Sequence, residues 1–282
     1  MNYRHAFHAG SFADVVKHAV LARILVHLAA KPAAFRVIDT HAGAGLYDLA
    51  GEEAQRSGEW RRGIARVLAA EITAPVRALL APYLDVVSAL NGAGALTTYP
   101  GSPALVRALL RPQDRLVACE LEPQAAAALS RNFARDKRIK TVAIDGWVAL
   151  NAYVPPAERR GVVVIDPPFE DAGDFTRLAH GLEAAHRKWA SGVYLLWYPI
   201  KGRQEPEALA RRLKRTGIGK ILRAELAVAA TSPQGPLGGC GLIVVNPPFM
   251  LESELAATLP ALSAILGEPG GSHRLDWIAA ET

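Results

Sequence analysis

The feature that most constrains the fold is an alternation of short apolar runs with longer helical patterns. Seven runs rich in β-branched residues end near Gly, Asp, Glu or Pro, and we predict them as strands: Phe35–Asp39, Leu116–Glu120, Thr141–Ile144, Val162–Ile165, Val193–Trp197, Ile221–Ala227 and Leu242–Val245. Helical spacing of apolar residues occurs at Ala13–Ala30, Gln124–Asp136, Asp174–Ala190, Pro206–Thr216 and Glu252–Leu266. Strands that alternate with helices form βαβ units. The sequence therefore predicts an α/β fold with a seven-stranded, mostly parallel sheet covered on both faces.

One connection is too long for an ordinary crossover. Residues 46–112 separate the first two predicted strands and contain helical patterns near 58–70 and 75–90. Loops between strands and helices in α/β proteins are usually about 2–6 residues long. We therefore predict that residues 46–112 are an inserted helical subdomain, and that residues 1–45 and 113–282 form one domain around the sheet.

Composition excludes several classes of protein. Hydrophobic residues make up 50% of the chain and charged residues 21%, which excludes an intrinsically disordered protein. The formal charge of +5 permits a polyanionic partner without requiring one. Cys119 and Cys240 lie in apolar runs without a ligand pattern, so neither a disulfide framework nor a zinc site is expected. The apolar stretch Ala19–Ala30 is too short to span a bilayer. We expect a cytoplasmic protein that binds no membrane.

The first predicted strand runs into a glycine turn, Gly43-Ala44-Gly45. Because these glycines lack side chains, backbone N–H groups can approach a ligand closely. A nicotinamide dinucleotide site would need a third glycine three residues further on, where Asp48 stands instead. A nucleoside cofactor without phosphate groups fits better, and S-adenosylmethionine is such a cofactor. A tight turn that binds nothing is the alternative.

Acidic residues lie at the ends of the second and third predicted strands. Glu120 closes the second strand, where a carboxylate can accept hydrogen bonds from both ribose hydroxyls, and Glu122 is the competing candidate. Asp145 and Gly146 follow the third strand and would meet the adenine of the cofactor, unless Asp145 is simply solvated. The long interval between the glycine turn and Glu120 fits such a site only if the inserted segment exists.

The fourth predicted strand delivers Asp166-Pro167-Pro168-Phe169 to the carboxyl edge of the sheet, where ligands bind in α/β folds. An exocyclic amine such as adenine N6 is a poor nucleophile because its lone pair is delocalised into the ring. Asp166 and the carbonyl of Pro167 can accept hydrogen bonds from both N–H groups, which favours a tetrahedral nitrogen. Phe169 offers a face on which the base can stack. We therefore predict a methyl transfer site for a planar amine.

A near copy of this tetrapeptide, Asn246-Pro247-Pro248-Phe249, follows the last predicted strand. Asn can replace Asp as an acceptor. The catalytic tetrapeptide should, however, follow the fourth strand beside the glycine turn at the centre of the sheet. We therefore predict that Asn246 is a turn residue.

Together these residues resemble the amino-methyltransferases of the D/N-P-P-Y/F/W class, and within it the bacterial adenine-N6 methyltransferases named for adenine 2030 of 23S rRNA. The similarity covers essentially the whole chain. The motifs that carry it are Tyr3-Arg4-His5-Ala6-Phe7-His8-Ala9-Gly10, Asp14, Lys17-His18, Asp39-Thr40-His41-Ala42-Gly43-Ala44-Gly45, Tyr99-Pro100-Gly101-Ser102-Pro103, Asp145-Gly146, Ile165-Asp166-Pro167-Pro168, Leu196-Trp197-Tyr198-Pro199 and Asn246-Pro247-Pro248.

The resemblance implies a Rossmann-like class I methyltransferase fold and a role for each matched residue. Phe169 stands where the family usually has Tyr, which preserves stacking but removes a hydroxyl. Asp166 is implied to be the catalytic carboxylate. Tyr3, His5 and Lys17 are implied to close over the target base. The implied contacts with S-adenosylmethionine are His18, His41, Ser102, Glu120, Asp145, Gly146 and Asp166.

Basic residues of the helical subdomain are candidates for RNA contacts. We hypothesise that Arg61, Arg62 and Arg66 contact the RNA backbone, although such runs are usually solvated helix faces. Histidines cluster near the N-terminus, but no carboxylate or Cys completes a metal set, so no metal is expected.

The predicted function is transfer of a methyl group from S-adenosylmethionine to N6 of a flipped adenine, position 2030, in 23S rRNA by a monomer. A DNA adenine-N6 methyltransferase would use the same site but should carry a target-recognition domain. A noncatalytic RNA-binding Rossmann module would not need the intact Asp166 tetrapeptide. A nicotinamide dehydrogenase is disfavoured by Asp48.

Overall fold

The computed structural model describes residues 4–171, 173–232 and 234–280. The strands in this part of the chain are β1 (Arg36–Asp39), β2 (Leu46–Asp48), β3 (Thr98–Pro100), β4 (Arg115–Glu120), β5 (Ile139–Ala143), β6 (Gly161–Ile165), β7 (Val193–Ile200), β8 (Ile221–Ala227), β9 (Gly239–Val245) and β10 (Ser272–Ala279). The helices are α1 (Phe12–Ala29), α2 (Glu52–Ser57), α3 (Glu59–Arg62), α4 (Ile64–Ala69), α5 (Ala74–Asn91), α6 (Ser102–Leu109), α7 (Pro123–Phe133), α8 (Gly146–Tyr153), α9 (Asp174–Lys188), α10 (Gln204–Arg215) and α11 (Leu251–Leu266).

The main sheet of the described residues has the order β10-β8-β9-β7-β6-β1-β4-β5. The pairs from β7 to β5 are parallel, whereas β9 runs antiparallel to both of its neighbours and β10 runs antiparallel to β8. The predicted α/β fold with a mostly parallel sheet is confirmed, but the prediction of seven strands is wrong by one. The missed strand is β10, whose apolar Leu275 and Trp277 alternate with charged residues. Strand β10 lies at the edge of the sheet and is mostly half-buried, so it lacks the continuous apolar run of a central strand.

Helices cover both faces of the main sheet. Strand β6 is buried along its whole length: Val162 and Val164 join one core, and Val163 and Ile165 join the other. Successive side chains of a strand point to opposite faces, so an unbroken apolar run is what a doubly covered strand requires.

Helix α1 lies in the core that contains Val162 and Val164, and it packs against α5, α6 and α11. Its residues are buried on nearly every side, including the polar side chains of Asp14, Lys17 and His18. Buried polar groups are costly unless they are paired. Asp14 and Lys17 pair with each other at 3.0 Å, which offsets part of this cost.

The segment 46–112 holds β2, β3 and helices α2 to α6. Strands β2 and β3 form a separate antiparallel pair, and α5 packs against α1. Helix α6 packs against β1 and β4 of the main sheet. The division into residues 1–45 with 113–282 and an inserted subdomain at 46–112 stays a prediction. None of the described helices is both long and apolar enough to cross a bilayer.

Candidate active site

A cleft of about 1060 Å³ opens at the carboxyl ends of β1, β4 and β6. This is where ligands bind in α/β sheets. The site residues expected from the sequence that line it are His5, Lys17, His41, Ser102, Glu120, Asp145, Gly146, Asp166 and Pro167. Phe169 lines an adjoining cavity, His18 lines neither, and Tyr3 lies outside the described residues.

Glu120 is fixed by backbone groups at the end of β4. The N–H of Gly43 donates to its Oε2 and the N–H of Glu122 donates to its Oε1, each at 2.8 Å. Gly43 has a φ of +60°, and a Cβ there would lie 2.0 Å from the hydroxyl of Tyr47. Each carboxylate oxygen has a second lone pair for a ligand hydroxyl. The competing candidate, Glu122, instead caps α7 by accepting from the N–H groups of Gln124 and Ala125.

Asp39 is a buried carboxylate at the end of β1 to which the sequence assigned no role. The hydroxyl of Ser102 donates to its Oδ2 at 2.6 Å, and its Oδ1 has no partner in the described structure. Burial raises the pKa of Asp39 to about 6, against the lowering effect of the Ser102 hydrogen bond. An ionisable residue between an apolar strand and a glycine turn is the signal that could have identified it.

His18 is completely buried and lies beside two tyrosines. Its Nδ1 is 2.8 Å from the Tyr99 hydroxyl, which is 2.9 Å from the Tyr83 hydroxyl. Burial lowers the pKa of His18 to about 3, so the ring is neutral at pH 7. The Nε2 atom has no partner in the described structure. A buried nitrogen without a partner is costly, and because His18 lines neither cavity, its implied contact with a cofactor stays a prediction.

His41 is held in one tautomer by Thr40. The Thr40 hydroxyl donates to the carbonyl of Val164 at 2.9 Å, so it must accept the proton of His41 Nδ1, which lies 2.8 Å away. Burial lowers the pKa of His41 to about 4. His41 therefore presents Nε2 as a neutral acceptor.

Asp145 caps α8 at the cleft wall. Its Oδ1 accepts from the N–H groups of Trp147 and Val148 at 2.9 and 3.0 Å. Arg177 lies 3.8 Å from Asp145 Oδ2 and packs over the Trp147 ring at 5.0 Å. Trp147 and Arg177 also line the cleft, although sequence reasoning missed both. An aromatic residue directly after Asp145-Gly146 was the available signal.

A buried charge cluster joins α1 to the tetrapeptide that follows β6. Lys17 Nζ lies 2.5 Å from Asp166 Oδ2 and 3.0 Å from Asp14 Oδ1, and the other Asp14 oxygen lies 3.0 Å from His5 Nε2. Asp14 and Lys17 are one helical turn apart, so they share a face. Burial alone would lower the pKa of Lys17, but the two carboxylates raise it well above its ordinary value. Lys17 is therefore charged, and it orients Asp166.

Phe169 lies in an adjoining cavity of about 620 Å³. The two cavities share His5, Lys17, Asp166, Pro167 and Pro168 in their linings. The Phe169 ring lies 5.7 Å from that of Trp197 at an interplanar angle of 65°. Asp166 thus faces a cleft on one side and an aromatic cavity on the other.

Asn246 lies at the opposite edge of the sheet, because β9 runs antiparallel to β7. Its backbone has a φ of +52°, and its amide nitrogen donates to the carbonyls of Ala190 and Gly192 at 2.8 Å. Asn246 therefore lies in a bend after β9, as predicted, and its lack of a catalytic role stays a prediction.

The three cations hypothesised to contact RNA do not share one environment. Arg61 is hydrogen-bonded to Gln55 and lies over the Trp60 ring, whereas Arg62 and Arg66 line the adjoining cavity.

Within the described ranges, no group of three or more His, Cys, Asp or Glu side chains is arranged to hold a metal ion.

Comparisons with known proteins agree with the fold. The ribosomal RNA large subunit methyltransferase J of Escherichia coli (strain K12) is 41% identical over 282 residues, covering 100% of both chains. The enzyme of the same name from Haemophilus influenzae is 39% identical over 283 residues, again covering 100% of both. The crystal structure of protein LPL1258 from Legionella pneumophila superposes with a TM-score of 0.87 at 32% identity, covering 96% of this chain and 98% of that one. The model of the family described as "Ribosomal RNA large subunit methyltransferase D, RlmJ" matches residues 32–279. The chain therefore belongs to this family of ribosomal RNA large subunit methyltransferases.

Proposed function

We propose that this protein transfers a methyl group from S-adenosylmethionine to N6 of an adenine, position 2030, in 23S rRNA. The observation that carries the proposal is the position of Asp166 between two cavities, one with acidic residues suited to a nucleoside cofactor and one with aromatic rings. Relatives that match the chain end to end are named as large-subunit rRNA methyltransferases, which supports an rRNA substrate. We also propose that the protein acts as a monomer in the cytoplasm.

The residues of the larger cleft fit S-adenosylmethionine. Glu120 would accept hydrogen bonds from the ribose hydroxyls, and Asp145 with Gly146 would meet the adenine. His18 and Asp39 line neither cavity, although His18 Nε2 and Asp39 Oδ1 are buried without a partner in the described structure, so contact between His18 and the cofactor stays part of the proposal. When bound, S-adenosylmethionine supplies a methyl group on a positively charged sulfur.

Asp166 and Pro167 would act on the attacking amine. Lys17 binds Asp166 Oδ2 and leaves Oδ1 free to accept one N–H of adenine N6. The carbonyl of Pro167 would accept the second, which draws the nitrogen lone pair out of conjugation. Phe169 would stack on the base and hold it in line with the methyl donor. No covalent intermediate is needed, and both cysteines are buried.

The experiment is incubation with labelled S-adenosylmethionine and protein-free 23S rRNA, assembled large subunits or duplex DNA, followed by mapping of the product. We expect N6-methyladenine at one position of the rRNA. Label in DNA alone would favour the DNA methyltransferase alternative. Absence of label everywhere would favour a noncatalytic RNA-binding protein.

A further inference from the structure

The cavity of about 620 Å³ beside Asp166 is enclosed by parts of the chain that are distant in sequence. Arg62 and Arg66 come from the segment 46–112, and Lys201 follows β7. The loop between β8 and β9, including Val228 and Gly238, contributes a further wall, as does the start of α1. The cavity thus lies between the helical segment and this loop, with Asp166 in its lining.

The cations of this cavity are available for an anion. Arg62, Arg66 and Lys201 have no ion pair or hydrogen bond to another side chain within the described ranges, whereas many other arginines of the protein pair with carboxylates. Glu59 in the same lining lies 3.0 Å from His8. Asp14 and Asp166 also line the cavity but pair with Lys17, and the exposed Glu268 is a further carboxylate. Three cations and one carboxylate of the lining are therefore left without a side-chain partner in the described structure.

Aromatic surface lies beside these cations. Phe169 and Trp197 are only partly buried and meet edge to face, so they still contribute surface to the cavity. Aromatic rings accept a stacked base, and arginine forks bind phosphate oxygens in pairs. A cavity that offers both is suited to a nucleotide within a strand rather than to a free anion or an acidic peptide.

We propose that Arg62, Arg66 and Lys201 hold the phosphates that flank the target nucleotide, whose base the proposed function places beside Asp166 and Phe169. The inference rests on the proposed function and assigns its RNA-binding residues. Arg61 is not included, because it is hydrogen-bonded to Gln55 and lies over Trp60.

The test compares two triple variants that each remove two arginines and one lysine. Arg62→Ala/Arg66→Ala/Lys201→Ala changes the cavity. The matched control, Arg211→Ala/Lys214→Ala/Arg215→Ala, changes α10, where all three side chains are exposed and line neither cavity. The affinity of each protein for protein-free 23S rRNA is measured across a series of salt concentrations, and the affinity for S-adenosylmethionine is measured separately.

We expect the cavity variant to bind the RNA at least about tenfold more weakly, with the slope of log K against log salt reduced by roughly 2, since each lost phosphate contact removes about 0.7 to 0.9. The control should retain nearly the wild-type affinity and slope, and both variants should bind S-adenosylmethionine normally. Equal losses in the two variants, or no loss in the cavity variant, would overturn the inference. Because binding is measured without turnover, a wild-type protein that binds RNA through these cations but transfers no methyl group would overturn the proposed function alone.

Discussion

Replacing Lys17 with Met removes the cation that separates two carboxylates but keeps a side chain of similar length. Lys17 is buried, and its Nζ lies 3.0 Å from Asp14 Oδ1 and 2.5 Å from Asp166 Oδ2. At an effective dielectric constant of about 20, an ion pair at such a distance is worth roughly 5 kcal/mol before desolvation is subtracted. Loss of one partner from a buried pair typically destabilises a protein by about 3–5 kcal/mol. We expect Lys17→Met to lower the free energy of unfolding by about that amount at pH 7.

The difference in stability between wild type and Lys17→Met should also change with pH in a definite direction. Burial alone would raise the pKa of Asp14, but His5 and Lys17 hold it well below its ordinary value. Stability from that shift is present above the unfolded-state pKa of about 3.9 and is lost as the pH falls through the lower folded-state value. Without Lys17, protonation of the two carboxylates removes unpaired buried charge and therefore stabilises the folded state. The stability gap between wild type and variant should therefore shrink as the pH falls below about 4.

The assay is urea unfolding of both proteins from pH 7 to pH 3. Lys137→Met is the control, because Lys137 is exposed and should change stability by less than about 0.5 kcal/mol. A gap below about 1 kcal/mol at pH 7, or one that widens in acid, would refute the reasoning about this buried cluster.

Three further substitutions test two other positions near the site and one turn at the opposite edge of the sheet. Asp39→Asn should remove the increase in stability that the wild-type protein gains as the pH falls through about 6 toward 4, because the raised pKa makes the folded state bind the proton more tightly; urea midpoints against pH measure this. Gly146→Ala should weaken S-adenosylmethionine binding at least about tenfold by calorimetry, since a Cβ would lie 2.4 Å from the Thr40 carbonyl and displace the cleft wall. Asn246→Ala should lose about 1–3 kcal/mol of stability in urea, because two carbonyls lose their donor. Unchanged values in these assays would contradict the corresponding prediction.

The central sheet was predictable because its strands are buried on both faces. β4 and β6 are almost continuous apolar runs, and their ends place Glu120 and Asp166 at one edge. Strand β10 was missed because an edge strand needs only alternating apolar residues. Helix α8 was also missed, because its eight residues are too few for helical periodicity to be distinguished from an apolar loop.

The contacts within the site depend on tertiary structure. Lys17 and Asp166 are 149 positions apart, so their ion pair cannot be inferred from spacing. Both carboxylate oxygens of Glu120 accept backbone N–H groups, and only the fold reveals which ones. The order of the predicted strands, by contrast, already separated Asp166 from Asn246. Antiparallel pairing of β9 explains that difference, since it places Asn246 at the far edge.

The most direct test of the proposed function is mapping of N6-methyladenine in 23S rRNA after incubation with S-adenosylmethionine and either wild-type, Asp166→Ala or Asn246→Ala protein. Circular dichroism and S-adenosylmethionine binding are measured on the same preparations to establish folding. We expect one modified adenine with the wild type and with Asn246→Ala, and none with folded, cofactor-binding Asp166→Ala. Methylation by Asp166→Ala at the wild-type rate, or loss of transfer in folded Asn246→Ala, would contradict the assignment of the catalytic carboxylate.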